Sequence, residues 1–142
     1  MFVGGRRFGA VLETARVDGR DATVTLRRSG DGGGPGAGLI ARRELKLAGA
    51  RLSFTDRFEG EGNAPFELRW PLGAGWTLTQ AEKGFEGVHP QAKLSVSTDG
   101  EAEWVIESGE VVEGESLVSA PVLVARGRAA PGQRLKTRFE IK

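Results

Sequence analysis

Residues 41–58 read ARRELKLAGARLSFTDRF, and this stretch decides the fold class. Apolar and polar residues alternate on both sides of Gly49, which is the period of a strand with one buried face. Glycine at the first central position of a two-residue loop is typical of a type II′ turn, and such turns join antiparallel strands. The turn predicts apolar cross-strand pairs on one face: Leu47 with Leu52, Leu45 with Phe54, and Ala41 with Phe58.

The same two-residue period continues outside this hairpin, and no segment of a dozen residues keeps helical spacing. A second hairpin is predicted at residues 98–100, where Gly100 in a left-handed conformation would close a three-residue loop and pair Val96 with Ala102. In total about 10–12 short strands predict an all-β, antiparallel two-sheet sandwich. A single closed barrel of that many strands would leave a wide lumen to fill. The other strands are predicted at Arg7–Ala15, Ala22–Arg28, Phe66–Trp70, Trp76–Gln80, Glu115–Val118, Pro121–Arg126 and 134–141.

Length and composition place the chain among ordinary globular proteins. Its 142 residues suit a single domain, 1–142, with a real core. The net charge of +1 creates no global field towards nucleic acid or a membrane surface. No apolar run approaches the ~20 residues that span a bilayer. The absence of cysteine removes disulfides, thiolate metal sites and a cysteine nucleophile together.

The sequence predicts no catalytic residue, metal site or cofactor. There is no tyrosine and one histidine, His89, so a Tyr/His pair for proton abstraction cannot be assembled within this chain. His89 is predicted to lie in a surface loop. Glu59 and Glu61 match no calcium-binding loop. The glycine-rich residues 29–38 do not follow a strand and open a helix, so they predict a mobile surface loop rather than a phosphate site.

One charged pair is predicted inside the first hairpin. The register places Arg43 opposite Asp56 on the same face as the apolar pairs. Arginine is rarely buried without a partner, and a facing aspartate supplies one. The pair is interpreted as a structural ion pair that fixes the register or closes one end of the core. The alternative is a direct role in binding an acidic sugar.

A basic stripe and one tryptophan are the candidate glycan-binding residues. Arg134, Lys136 and Arg138 lie on the solvent-exposed face of the last predicted strand, where they could meet sulfate or uronate groups. Arg126 and Arg128 could extend the stripe. The alternative is a solubilising face beside an acidic strand at residues 101–107. Trp70 lies on the same strand face as its apolar neighbours at alternate positions, so it is either a sugar platform or part of the core.

Five segments, in their order and spacing, resemble the C-terminal part of heparinase II/III-like polysaccharide lyases. In that family an arginine-containing strand leads through a short hairpin into an aspartate-containing strand that ends in glycine. The similarity covers most of the chain from about residue 8. The segments are ARRELKL at 41–47, LSFTDRFEG at 52–60, FELRWP at 66–71, SAPVL at 119–123 and KTRFEI at 136–141.

The resemblance implies a C-terminal β-sandwich that accompanies an N-terminal α/α-toroid catalytic domain in full-length relatives, which cleave uronate-containing polysaccharides by β-elimination. The proton-transferring tyrosine and histidine of the family lie mainly on the toroid and the domain junction. Family histidines are replaced here by Ala41, Glu67 and Arg69, so no metal or junction role carries over to these positions. The resemblance also favours the periplasm or cell envelope.

Three hypotheses follow for the function. The first is a structural, substrate-supporting module of a longer lyase that is inactive alone, and its missing partner is the toroid. The second is a non-catalytic module that binds an acidic polysaccharide through the basic stripe. The third is a structural β-domain that packs on a partner protein, which a large exposed apolar patch would favour.

Overall fold

The computed structural model describes residues 10–29 and 38–142. Within these residues the chain forms eleven strands and no helix, so none that could span a membrane. The strands are β1 (Ala10–Asp18), β2 (Asp21–Ser29), β3 (Leu39–Ala48), β4 (Arg51–Gly60), β5 (Ala64–Pro71), β6 (Thr77–Ala81), β7 (Gly84–His89), β8 (Ala92–Asp99), β9 (Glu103–Glu113), β10 (Ser116–Ala129) and β11 (Arg134–Ile141).

Two antiparallel sheets of unequal size make up the fold. The large sheet has eight strands in the order β1-β2-β3-β4-β11-β8-β7-β6, and the small sheet has three in the order β5-β10-β9. The predicted two-sheet antiparallel sandwich is therefore confirmed. The large sheet consists of two runs of consecutive strands, β1–β4 and β6–β8, and the C-terminal strand β11 lies between them.

The first hairpin has the predicted register. Leu47 pairs with Leu52, Leu45 with Phe54, and Ala41 with Phe58. Gly49 has a φ of 60°, and no non-glycine residue among those described has a positive φ. A positive φ at the first central residue alone is the signature of a type II′ turn, which matches the right-handed twist of the flanking strands.

The second predicted hairpin is wrong. β8 pairs with β7 and β11 in the large sheet, whereas β9 pairs with β10 in the small sheet, so the chain crosses between sheets at Gly100. Leu94 and Trp104 both belong to the main core cluster, but Leu94 lies in the large sheet and Trp104 in the small sheet. Alternation predicts which face is buried, but it does not distinguish a cross-strand neighbour from a neighbour in the facing sheet.

Other boundaries also differ from the prediction. The two strands predicted at 115–118 and 121–126 are one strand, β10, which contains Pro121. The proline is tolerated because it lies opposite the end of β5, where a backbone N–H on its side of the strand is not required. Its carbonyl accepts a hydrogen bond from the Leu72 N–H at 3.0 Å. His89 ends β7 rather than lying in a loop. Residues 30–37 of the glycine-rich segment and residues 7–9 of the first predicted strand lie outside the described residues.

The main core lies between the small sheet and strands β4, β11, β8, β7 and β6. Trp70 stacks on Trp104 with ring centroids 5.5 Å apart, and the edge of Phe54 packs on Trp70 at 6.1 Å. The fully buried Leu123 of β10 lies at the centre of this cluster. A second cluster at the other end of the sandwich contains Leu39, Phe58, Ala129 and Leu135.

Candidate functional site

The outer face of the large sheet carries a row of four arginines on four neighbouring strands. Arg27 of β2 pairs with Arg42 of β3, Arg42 with Arg57 of β4, and Arg57 with Arg134 of β11. Directly opposite like charges destabilise a sheet. Solvent and salt screen such repulsion at an exposed surface, and nearby acids or an anion from outside the fold reduce it further.

Acids of the same face neutralise one half of the row. Arg42 donates hydrogen bonds to Glu13 at 2.9 Å and to Glu59 at 2.9 Å. Glu13 also lies 3.4 Å from Arg27. Arg27 and Arg42 are therefore held in ion pairs within the fold.

The other half of the row has no such acid. Arg57 and Arg134 are exposed and make no ion pair with any residue among 10–29 and 38–142. Lys136 and Arg138 continue the same face along β11, and they too are exposed and without an ion pair in the described part of the chain. The structure thus brings the three predicted basic residues onto one face and adds Arg57 to them.

A shallow groove crosses this face. It has a volume of about 650 Å³ and combines cationic side chains and the hydroxyls of serine and threonine with two acids, Glu44 and Asp99, of which Asp99 is directly opposite Lys136. Ammonium and guanidinium groups bind sulfate and carboxylate, while hydroxyls exchange hydrogen bonds with the hydroxyls of a sugar. Residues lining the groove include Lys46, Ser53, Thr55, Ser97, Lys136 and Arg138.

Trp70, Arg126 and the acidic strand lie elsewhere. Trp70 is 4% exposed and belongs to the core, on the opposite side of the large sheet from the basic stripe, so its indole presents no face to a glycan there. Arg126 lies on β10 of the small sheet and does not extend the stripe. The acidic residues of β9 are in the small sheet as well, so they do not neutralise the stripe as a neighbouring strand would.

Arg43 and Asp56 form a bidentate ion pair at the edge of the core. Arg43 Nε donates to Asp56 Oδ1 at 2.7 Å, and Nη2 donates to Oδ2 at 3.2 Å. The guanidinium also lies over two aromatic rings, 5.1 Å from the centroid of Phe54 and 5.0 Å from that of Trp70. Burial raises the pKa of the Asp56 carboxyl, and the hydrogen bond and charge of Arg43 offset part of that increase. The pair therefore links the register of the first hairpin to the packing of the small sheet.

A second ionic cluster covers the outer face of the small sheet. Glu67 accepts hydrogen bonds from Arg69 at 2.8 Å and from Arg126 at 2.9 Å, and Glu107 accepts from the same two arginines. Hydrogen bonds from Arg126 first, and then from Arg69, lower the pKa of both glutamates. This cluster was not predicted from the sequence. The signal for it is that Glu67 and Arg69 occupy alternate, solvent-exposed positions of a strand whose other face is apolar.

The remaining candidates are not gathered into a site. His89 is half-buried and packs on Trp76 with ring centroids 5.2 Å apart. Its Nδ1 accepts a hydrogen bond from the Gln91 N–H at 3.2 Å. Among residues 10–29 and 38–142, no group of three or more histidines or acids is placed to hold a metal ion.

The comparison with family models identifies the family. The model described as "Heparinase II/III-like, C-terminal" matches residues 1–139. This chain belongs to that family. The family assignment confirms the resemblance that the five segments predicted, and it agrees with the two-sheet sandwich.

Solved structures of heparinase III share the fold of this family member. Two structures of the BT4657 gene product, one of them with methylated lysines, superpose with TM-scores of 0.69 and 0.66 at 10% and 11% identity over 94% of this chain. A further crystal structure of heparinase III gives a TM-score of 0.64 at 12% identity over 93% of the chain. In each case the match spans 21% of the solved chain. No curated protein matches the sequence.

Proposed function

We propose that this heparinase II/III-like unit is the C-terminal β-sandwich module of a lyase that cleaves a uronate-containing polysaccharide. The module supports the substrate and is inactive alone. The observation that carries the proposal is the family match over residues 1–139, together with a fold that spans 21% of the solved heparinase III chains. The partner is an α/α-toroid domain that supplies the chemistry.

The residue content of the chain supports a non-catalytic role. β-Elimination from a uronate needs one group to remove the proton next to the carboxylate and another to protonate the leaving oxygen. The chain has no tyrosine, and its one histidine is packed against an indole. Arg43 and Asp56, the ion pair at the edge of the core, are already paired with each other.

Absorbance of the unsaturated uronate product tests this role. The purified chain is expected to give no increase in absorbance with heparin, heparan sulfate, alginate or hyaluronan. Turnover of any one of these polysaccharides that persists through further purification of the chain would refute the supporting role. A commercial heparin lyase provides the positive control for each assay mixture.

A specific observation favours a second function for the same module, which is to hold the acidic glycan on the outer face of the large sheet. Arg57 and Arg134 are directly opposite each other and lack acidic partners in the described residues. An anion that bridges them would remove the repulsion. Lys136 and Arg138 offer two further cations at successive outward positions of the same strand, so an extended polyanion would meet several charges at once.

Heparin affinity chromatography tests the second function. The chain is expected to be retained at low salt, and a triple variant with Arg134, Lys136 and Arg138 each changed to alanine is expected to elute at much lower salt. A second triple variant, with Arg20, Lys83 and Arg128 changed to alanine, lowers the net charge equally but leaves this face intact. Equal loss of retention in both variants would show that retention follows net charge alone.

A further inference from the structure

The two sheets cover each other incompletely. β5 is an edge strand of the small sheet and packs over β3 and β4, as the Phe58–Phe66 contact at 5.1 Å and the Arg43–Trp70 contact at 5.0 Å show. Strands β1, β2 and most of β3 extend beyond β5. We refer to the inward face of these three strands as the overhang.

Most side chains of the overhang are apolar. Cross-strand pairs place leucine, valine and alanine side chains in rows that lead towards β4, and the row through Leu26 leads into the ion pair of Arg43 with Asp56. Side chains of this kind are normally covered, but Val17 is 77% exposed, Leu12 57% and Leu47 39%. The overhang consists of Leu12, Ala15, Val17, Ala22, Val24, Leu26, Leu45 and Leu47.

One edge of β5 pairs with no other strand in the described part of the chain, and this free edge has a defined set of backbone groups. The Leu72 N–H donates to the Pro121 carbonyl, which continues the register in which Trp70 pairs with Leu123. Because hydrogen-bonded pairs alternate along an antiparallel ladder, the even-numbered residues of β5 bond to β10 and the odd-numbered ones direct their N–H and C=O groups away from it. The outward positions are Pro65, Glu67, Arg69 and Pro71.

The two prolines restrict what can pair with this edge. Proline has no N–H, so the outward donors of β5 are those of Glu67 and Arg69. A partner strand therefore finds N–H donors only at Glu67 and Arg69, while the carbonyls of all four outward residues can accept hydrogen bonds. Prolines on an edge strand also suppress indiscriminate sheet extension.

The seam between β5 and the overhang is open and incomplete. A cavity of about 330 Å³ lies at one end of the seam, lined by Leu26, Ala41 and Leu68 together with charged residues that include Arg43 and Asp56, and one of about 500 Å³ lies at the other. Trp70 lines the larger cavity. The indole N–H of Trp70 has no acceptor among the described residues although the side chain is 4% exposed. An unpaired buried donor is costly, and an added segment with a carbonyl at this place would remove the cost.

We propose that the β5 edge accepts an extended segment of the lyase polypeptide outside this unit, which continues the small sheet over the overhang. The inference rests on the proposed role as a module, since it names where the unit meets the rest of the enzyme. The matched heparinase III chains have most of their length outside this unit, which spans 21% of them. The segment has apolar residues at alternate positions, because one of its faces lies on the overhang.

A second copy of the chain does not fit the same edge. Antiparallel pairing of two β5 strands would make the two small sheets continuous, with both large sheets on the same side. The overhang of each copy projects past its own β5 on that side, so the two overhangs would occupy the same space. A single strand carries no such layer and meets no obstruction.

A phage-displayed library of random nine-residue peptides, panned on the full chain, tests the inference. Captured peptides are expected to alternate apolar and polar residues. In hydrogen exchange, a captured peptide is expected to slow the amides of Glu67 and Arg69, which face the free edge, while those of Phe66 and Leu68 are already bonded to β10. Failure to capture any alternating peptide, or protection confined to another edge such as β9, would overturn the inference.

Arg69→Pro provides the matched variant. It removes one outward N–H and leaves the ladder to β10 intact, so it is expected to weaken peptide binding by about tenfold or more. Arg69→Ala removes the same side chain but keeps the N–H, and it is expected to bind like the native chain. Equal weakening in both variants would contradict pairing through the backbone.

The exchange pattern of the native chain remains decisive if the proline variant does not fold. Heparin retention in these variants separates this inference from glycan binding, because the stripe lies on the opposite face of the large sheet. Light scattering is expected to show a monomer. A dimer that Arg69→Pro dissociates would identify a second copy as the occupant and overturn the assignment to a separate segment.

Discussion

Replacing Arg43 with methionine is expected to lower the free energy of unfolding by about 3–5 kcal/mol at neutral pH. The side chain of Asp56 is 6% exposed and accepts two hydrogen bonds from Arg43, so the variant leaves a buried carboxylate without its cation. Methionine keeps most of the side-chain volume over Phe54 and Trp70. The cost therefore comes from the stranded charge rather than from a cavity.

The deficit is expected to shrink as the pH falls. Burial raises the pKa of Asp56 above its ordinary value of 3.8, and Arg43 opposes that rise, so the pKa is higher still in the variant. A carboxyl with a raised folded-state pKa stabilises the fold most below its unfolded pKa. That contribution is lost as the pH rises through the folded-state pKa. In acid the variant holds a neutral carboxyl, and its penalty is accordingly smaller.

Urea unfolding monitored by tryptophan fluorescence measures both effects. The double variant Arg43→Met/Asp56→Leu is expected to lie within about 1 kcal/mol of the native chain or above it, since two apolar side chains can replace a buried pair without loss. Arg51→Met breaks an exposed pair with Glu140 and is expected to cost at most about 1 kcal/mol. A cost for Arg43→Met no larger than that of Arg51→Met, or a double variant as unstable as the single one, would refute the reasoning.

The ionic cluster on the outer face of the small sheet is expected to contribute to the loss of stability in acid. The pKa values of Glu67 and Glu107 lie below their ordinary 4.5, so their stabilisation is present above that pH and is lost as the pH falls through the folded-state values. Changing both glutamates to glutamine should make the melting temperature less dependent on pH between about pH 5 and about pH 3. An unchanged pH dependence would contradict this. Gly84→Ala should destabilise more than Gly19→Ala. Both positions have positive φ and share a strain of about 1–2 kcal/mol, but only at Gly84 would the new Cβ overlap a backbone carbonyl, that of Val96. Equal melting temperatures for the two alanine variants would count against the steric argument.

The first hairpin could be read from sequence because two independent signals agree there. Gly49 sets the turn, and the apolar alternation sets the face, so a shift by one residue would expose the whole apolar set. The same register places Arg42 opposite Arg57, so half of the arginine row was available from the sequence. Arg134 joins that row only through the pairing of β11 with β4, which no local pattern indicates.

The crossing at Gly100 could not be read because the local signals favour a hairpin. Thr98-Asp99-Gly100 has the composition of a turn, and alternating residues lie on both sides of it. The chain nevertheless continues into the other sheet, where Trp104 packs against Trp70. Trp70 illustrates the same limit, because a tryptophan on an apolar parity can be core or rim, and the packing of the second sheet decides which.

The place of β11 has a consequence for the order of folding. β11 is made after the other ten described strands, yet it is the strand that joins β4 to β8, with Phe139 paired to Leu52 on one side and to Val96 on the other. While β11 is still inside the ribosome, it cannot form the hydrogen bonds that join strands β1–β4 to strands β6–β8. Closure of such distant contacts is slow, and unpaired edges are prone to aggregation in the meantime. A nascent chain arrested before residue 134 should therefore be far more sensitive to protease than the released protein.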